Sequence, residues 1–462
     1  MESRPNILVI MADQFRAMAL GASGTDPVLT PNLDRLAEEG VLVDHAVSNY
    51  PVCSPHRAMF LTSALPTNNG VTHNINSVTA EQGVGLRDGI PTWATVLRDR
   101  GYRTGYIGKW HLEPPTDDDE THGEGRREDG KVWDAYSPTS RRFGFDFWHA
   151  YGAADSHLSP HYWVGDAARE ERLDVDAWSA EHEIDVAIDV VRESPKHDAP
   201  FALMVSLNPP HQPFDAVPDR YRHAYDHLSA AELLPRDNVA HGTPVATEAA
   251  DIARDYFSAA TGVDDQIGRL LDALDAQELA ENTVVIFTSD HGMQLGSHGM
   301  LFKNVPYEES MRIPCVVRQP GRIPPGRSTE MVTSLDFAPT ILGLAGEADA
   351  VPATMHGRDR SAALRGLEDV SADPAASYHR FPSATEPESI RGIRTRDAKL
   401  IASLRPNGTV EIRAFDLHED PFELASDTRC EWVPALAERL LTRMVDEGDT
   451  WGGADQLKRL FA

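Results

Sequence analysis

Unbroken apolar runs recur along the chain, each closed by polar or turn-forming residues: NILVIMA (6–12), RTGYIGKW (103–110), FALMVSL (201–207), TVVIFTS (283–289) and IPCVVR (313–318). Continuous rather than alternating apolarity predicts strands buried on both faces. Helical patterns lie between them. Residues 31–40 and 91–101 each open on proline and close on glycine, and Ile252, Tyr256, Ala259, Val263, Ile267, Leu270 and Leu274 recur at helical spacing. Strands alternating with helices predict an α/β layered domain over roughly residues 1–350.

Beyond PTILGLAG the texture changes. Residues 347–390 are rich in Ala, Pro, Ser and acids and read as a loop-rich connection. IRTRDAKLIASL and TVEIRAFDL then read as two amphipathic strands joined across RPNG, with a helix from about Pro434 to Gly448. Residues 351–462 are therefore expected to form a smaller antiparallel sheet plus helix. The acidic, glycine-containing stretch 116–131 (TDDDETHGEGRREDGK) reads as an exposed mobile loop.

Charge narrows the partners. Lys and Arg number 43 against 72 Asp and Glu, a net charge of −29 over 462 residues. Such a field repels nucleic acid and anionic membrane surfaces. The first apolar run is too short for a secretory signal, no stretch approaches a membrane span, and three cysteines exclude a disulfide framework. The expectation is a soluble, cytoplasmic protein.

Candidate chemistry gathers where strands end, as ligands do in open α/β sheets. Asp13 and Gln14 follow the first run; Asp290 and His291 follow the fourth. Two strand ends that each offer an aspartate and a second donor suggest one cation between them. Lys109 and His111 are two apart and share one face if the strand continues there, and His211 and Lys303 sit in Pro- or Gly-rich loops after strands. Together these describe an oxyanion pocket with proton-transferring imidazoles. Cys53, before Ser54-Pro55, is placed at a helix start, where backbone N–H groups favour an anion, and Arg57 lies one turn on. By itself the thiol is equally a buried hydrophobe, a nucleophile, a metal ligand or the precursor of a modified residue.

CSPHR, with ADQ before it and GKWHL, NPPHQPF, SDHG and LFKN after it in that order, resembles the type I sulfatases of the alkaline phosphatase superfamily, as does the C-terminal FDLHEDPFELAS. The resemblance implies a large, mixed, mostly parallel sheet sandwiched by helices. It implies oxidation of Cys53 to formylglycine by a formylglycine-generating or anaerobic sulfatase-maturing enzyme that reads Pro55 and Arg57. It further implies that the aldehyde hydrate attacks the sulfur of a sulfate ester beside a divalent cation, normally Ca²⁺, held by Asp13, Gln14, Asp290, His291 and residue 53. Arg57, Lys109 and Lys303 would spread the sulfuryl charge, His211 with Lys303 would protonate the leaving alkoxide, and His111 would deprotonate the second hydroxyl to expel sulfate.

Two positions depart from the commonest pattern. Many members have two acids where this chain has Asp13-Gln14, and Asn where it has His291, which leaves Mg²⁺ or Mn²⁺ open as the ion. The same usage resembles choline sulfatases and phosphonate monoester hydrolases, so a phosphorus ester stays open beside an aryl or choline sulfate. GKWHL favours sulfate. A non-catalytic metal and anion binder is the remaining alternative, disfavoured by the proton-transferring set. For the leaving group, His73 and Asn74 after the catalytic helix, and His161, Tyr162 and Trp163 in a long polar and aromatic loop, point to a sulfated mono- or oligosaccharide.

Overall fold

The computed structural model describes residues 4–370 and 374–461. Fourteen strands run through them: β1 (Asn6–Ala12), β2 (Val41–Val47), β3 (Arg103–Lys109), β4 (Phe147–Tyr151), β5 (His161–Val164), β6 (Leu173–Asp174), β7 (Phe201–Leu207), β8 (Thr283–Ser289), β9 (Cys315–Arg318), β10 (Gly326–Thr333), β11 (Ala376–Arg380), β12 (Ser389–Arg394), β13 (Ala398–Leu404) and β14 (Val410–Asp416). The first ten form one sheet in the order β10-β2-β9-β8-β1-β7-β3-β4-β5-β6. Pairing is parallel from β8 through β1, β7 and β3 to β4 and between β10 and β2, and antiparallel around β9, β5 and β6.

The buried strands explain the unbroken apolar runs. Successive side chains of a strand face opposite ways. Leu8, Ile10 and Ala12 of β1 join one core with the helices Pro31–Glu39, Ser179–Glu193 and Pro244–Ala276, while Ile7, Val9 and Met11 join the other with Cys53–Thr62, Trp93–Asp99 and Phe337–Leu344. The helix expected over 252–274 starts earlier, at Pro244, where the Thr243 hydroxyl caps the Ala246 N–H. Among the described residues no helix is long and apolar enough to cross a membrane.

The second sheet is antiparallel, β11-β12-β13-β14, with the helix Val433–Asp446 packed on Ile393, Leu400 and Ala402. Three expectations need correction. IRTRDAKLIASL is not one strand but the hairpin of β12 and β13, turned where Thr395 N–H donates to Ala398 O. The loop-rich stretch 347–390 contains β11, whose buried Tyr378 and His379 were masked by the polar residues around them. The acidic stretch 116–131 is not a free loop. Its Asp119 is 1% exposed and accepts from Thr116 and the Tyr136 N–H, and Glu124 accepts from Asp155 N–H and Ser156.

Candidate active site

The site lies at the carboxyl ends of β1, β3, β7 and β8, where the parallel strands hand over to loops. Asp13 and Gln14 leave β1, and Asp290 and His291 leave β8; Gln14 adopts a left-handed backbone (φ 64°) and donates its N–H to Asp290 Oδ1 at 3.0 Å. All four are fully buried. Opposite them Cys53 opens the helix Cys53–Thr62, whose ten residues are all buried. Asn74 Oδ1 takes the Ser54 N–H at 2.9 Å, so the helix start is held from outside rather than by the preceding Val52.

Arg57, one turn along, bridges the two strand ends. It donates to Asp13 Oδ2 at 3.0 Å, Asp290 Oδ2 at 3.1 Å, Lys109 O at 3.0 Å and Ser206 Oγ at 2.6 Å. Lys109 at the end of β3 reaches Asp13 Oδ2 at 2.7 Å and Asn208 Oδ1 at 3.0 Å. Lys303 stands 3.3 Å from the Cys53 sulfur. Burial and Asp13 oppose ionisation of the thiol, yet Lys303, Lys109 and His291 hold Cys53 well below the usual thiol value. The position therefore favours a negative charge on residue 53.

Two imidazoles flank it. His111, also left-handed (φ 51°), uses Nε2 on Ile75 O at 3.0 Å and leaves a buried Nδ1 without a partner; burial keeps it below the ordinary imidazole value, with Cys53 acting in the other direction. His211 faces Asp155 Oδ1 at 3.4 Å. Burial and the two lysines oppose its charge, but Asp13 and Asp155 outweigh them and raise its pKa. The two imidazoles are thus shifted in opposite directions, His111 toward its neutral form and His211 toward its charged form, the separation an acid and a base require.

The donor set fits a divalent cation. Asp13, Cys53, Asp290 and His291 each offer a ligand atom within 4.8 Å of the others, and Gln14 Oε1 is buried with no partner. The His291 Nδ1–H donates to Gly292 O at 2.9 Å, which leaves the Nε2 lone pair 3.5 Å from both Asp13 Oδ1 and Asp290 Oδ1. Carboxylate and amide oxygens with one imidazole suit Ca²⁺, Mg²⁺ or Mn²⁺. Without an ion, the buried carboxylates repel. Burial and Asp13 raise the Asp290 pKa, while Asp13, despite its own burial, is held low by Lys109, His211, Lys303 and Arg57.

The sequence-level candidates for leaving-group contact divide. His73 lies near the rim, half-buried, with Nε2 3.1 Å from Pro382 O in the β11–β12 loop. Asn74 is spent on the helix start. His161, Tyr162 and Trp163 are not exposed for stacking but buried in β5: His161 binds Asp134 at 2.7 Å, Tyr162 donates to Glu183 at 3.1 Å and Trp163 to Arg169 O at 2.9 Å. Sequence reasoning gives no role to Asn208 or Asp155. Asn208 opens the NPPHQPF motif, in which only His211 is assigned a function; Asp155 carries no local signal of its own.

The Sulfatase family model matches residues 5–347. The chain belongs to the sulfatase family. A second model, N-sulphoglucosamine sulphohydrolase C-terminal, matches residues 296–448 of this sulfatase. It is 34% identical to an endo-4-O-sulfatase of Bacteroides thetaiotaomicron over 97% of this chain and 93% of that one. It is 32% identical to a ulvan-active sulfatase of Formosa agariphila over 81% of this chain and 67% of that one. The solved sulfatase yidJ of Bacteroides fragilis superimposes with a TM-score of 0.92 at 36% identity, covering 98% of each chain. A phosphonate monoester hydrolase of Agrobacterium radiobacter shares the fold at a TM-score of 0.72 and 22% identity.

Proposed function

We propose that this sulfatase hydrolyses the sulfate ester of a mono- or oligosaccharide and that Cys53 acts as formylglycine, installed by a separate maturing enzyme. The observation that carries the reading is the ring of Arg57, Lys109, Lys303, His111 and His211 around residue 53, beside donors that fit a divalent cation. Support for a carbohydrate ester comes from the relatives that act as endo-4-O-, ulvan-active and N-acetylglucosamine-6-O-sulfatases, each at 27–34% identity.

Oxidised to formylglycine, residue 53 supplies a hydrated aldehyde, with one hydroxyl to attack sulfur and a second whose deprotonation releases sulfate. Asp13, Gln14, Asp290 and His291 would hold a divalent cation, which would supply Lewis acidity beside residue 53. Lys109, Lys303 and Arg57 set positive charge where the sulfuryl oxygens gather negative charge. His211, whose pKa Asp13 and Asp155 raise, is placed to hold a proton for the departing sugar oxygen. His111, held by burial below the ordinary imidazole value and with Nδ1 unpartnered, is placed to accept a proton from residue 53.

The test is sulfate release from saccharide O-sulfates and from 4-nitrophenyl sulfate, measured on protein whose peptide mass shows conversion of Cys53, with Cys53→Ala as the blank. Release that the blank lacks is expected. No release from any sulfate ester, or faster turnover of phenylphosphonate esters by orders of magnitude, overturns the proposal.

A further inference from the structure

The acidic stretch 116–131 that follows Lys109 and His111 is tied into the fold, and two residues beyond its end a tryptophan stands against the His111 imidazole. We propose that Trp133 contacts the leaving group, its indole lying against the pyranose ring of the sulfate ester; the proposal rests on the sulfatase reading above.

Trp133 is half-buried, with its ring centroid 5.9 Å from that of His111 and the planes at 64°. Its neighbours fix it from both sides. Val132 is buried and exchanges backbone and side-chain hydrogen bonds with Ser77, at 2.8 Å to its carbonyl and 3.1 Å from its N–H. Asp134, fully buried, accepts from the Gly152 and Ala153 N–H groups and binds His161. The indole N–H itself donates to Asp129 Oδ2 at 3.0 Å. So the ring is pre-positioned, and little side-chain entropy is lost when a ligand meets it.

The same stretch reaches the other imidazole. Arg127 pairs with Asp155 at 2.6 Å, and Asp155 faces His211 at 3.4 Å. Residues 124–133 therefore flank both proton-transferring groups, which is where the alcohol half of an ester must sit when sulfur faces residue 53. The wall has aromatic surface but no unmatched cation, since Arg126 is paired with Glu120. Arg127 and Lys131 stand 5.8 and 5.3 Å from the indole centroid, yet Arg127 is matched by Glu124 and Asp155 and Lys131 by Asp129. Such a surface recognises the C–H face and hydroxyls of a sugar rather than a second anionic group.

The test compares wild type, Trp133→Ala and Trp133→Phe, each with conversion of Cys53 verified by mass, on a panel of mono- and disaccharide O-sulfates and on 4-nitrophenyl sulfate. For Trp133→Ala the ratio of kcat/KM on the best saccharide to that on the aryl ester is expected to fall about tenfold, the order of a lost aromatic contact, and to do so through KM. Trp133→Phe should restore most of it. Equal losses on both substrates, carried by kcat, would assign Trp133 to support of His111 alone and overturn the proposal, as would an unchanged ratio or a wild type that cleaves only the aryl ester. A wild type that releases no sulfate from any ester instead defeats the sulfatase reading itself.

Discussion

Lys109 Nζ and Asp13 Oδ2 lie 2.7 Å apart, and this ion pair divides the work of one carboxylate. Oδ2 also takes Arg57 at 3.0 Å, while Oδ1 faces His291 Nε2 at 3.5 Å and the Cys53 sulfur at 3.7 Å. One oxygen holds the cationic side chains in place and the other faces the donors that could hold a cation. The end of β1 thus fixes both halves of the site at once.

Removing the guanidinium exposes what it offsets. Arg57→Ala leaves Asp13 and Asp290 without their shared cationic partner, both fully buried. Loss of about 3–5 kcal/mol is expected in denaturant unfolding of the metal-free protein. Added Ca²⁺ should recover part of it, because the ion replaces the missing positive charge between the same carboxylates.

Gln14 offers an amide oxygen where a carboxylate would bind more strongly. Gln14→Glu should tighten Ca²⁺ binding by roughly tenfold, given the added charge at a hard-cation site. Calcium titration followed by melting temperature measures it. Unchanged affinity would remove Gln14 from the ligand set.

In the proposed mechanism Asp155, 3.4 Å from His211 Nδ1, acts as its positioning residue. An acid must be protonated to act, so activity is lost as pH rises through its pKa, and Asp155 is one of the two groups raising that pKa. In Asp155→Asn the alkaline limb of the rate profile should move to lower pH. On saccharide sulfates kcat should fall about tenfold, with a smaller loss on 4-nitrophenyl sulfate, whose leaving group departs without a proton.

His149 provides a pH signature away from the site. Burial, then the neighbouring His182, lowers its pKa to about 3 from an ordinary 6.5. Below pH 6.5 the unfolded chain takes up a proton that the folded protein refuses. Stability of wild type relative to His149→Gln should therefore fall by ~1.4 kcal/mol per pH unit on acidification, levelling near pH 3. Urea unfolding across that range reads the slope.

The central strands were legible because both of their faces are covered, so apolarity ran unbroken from Ile7 to Ala12 and from Val284 to Phe287. β2 escaped because Asp44 and His45 interrupt VLVDHAV where the sheet thins toward its edge. The charged groups of the site were legible because strand ends deliver them in fixed order. Asp155 and Trp133 were not, since each depends on a loop folding back across the sheet, and no local spacing encodes that return. The aromatic loop misled for the same reason in reverse: Tyr162 and Trp163 belong to β5, whose pairing with β4 and β6 buries them.

Asn304, next to Lys303, ties together parts of the chain far apart in sequence. Its N–H donates to Pro51 O beside the nucleophile helix, and its carbonyl accepts from Tyr378 and Arg380 of the small sheet at 3.2 and 3.5 Å, while Lys399 of β13 donates to Pro306 O at 3.0 Å. The second sheet therefore helps hold the segment that carries Lys303 and is not an appendage. A chimera that exchanges this C-terminal unit between relatives would inherit a working lysine only if the graft brought Tyr378, Arg380 and Lys399 along with it.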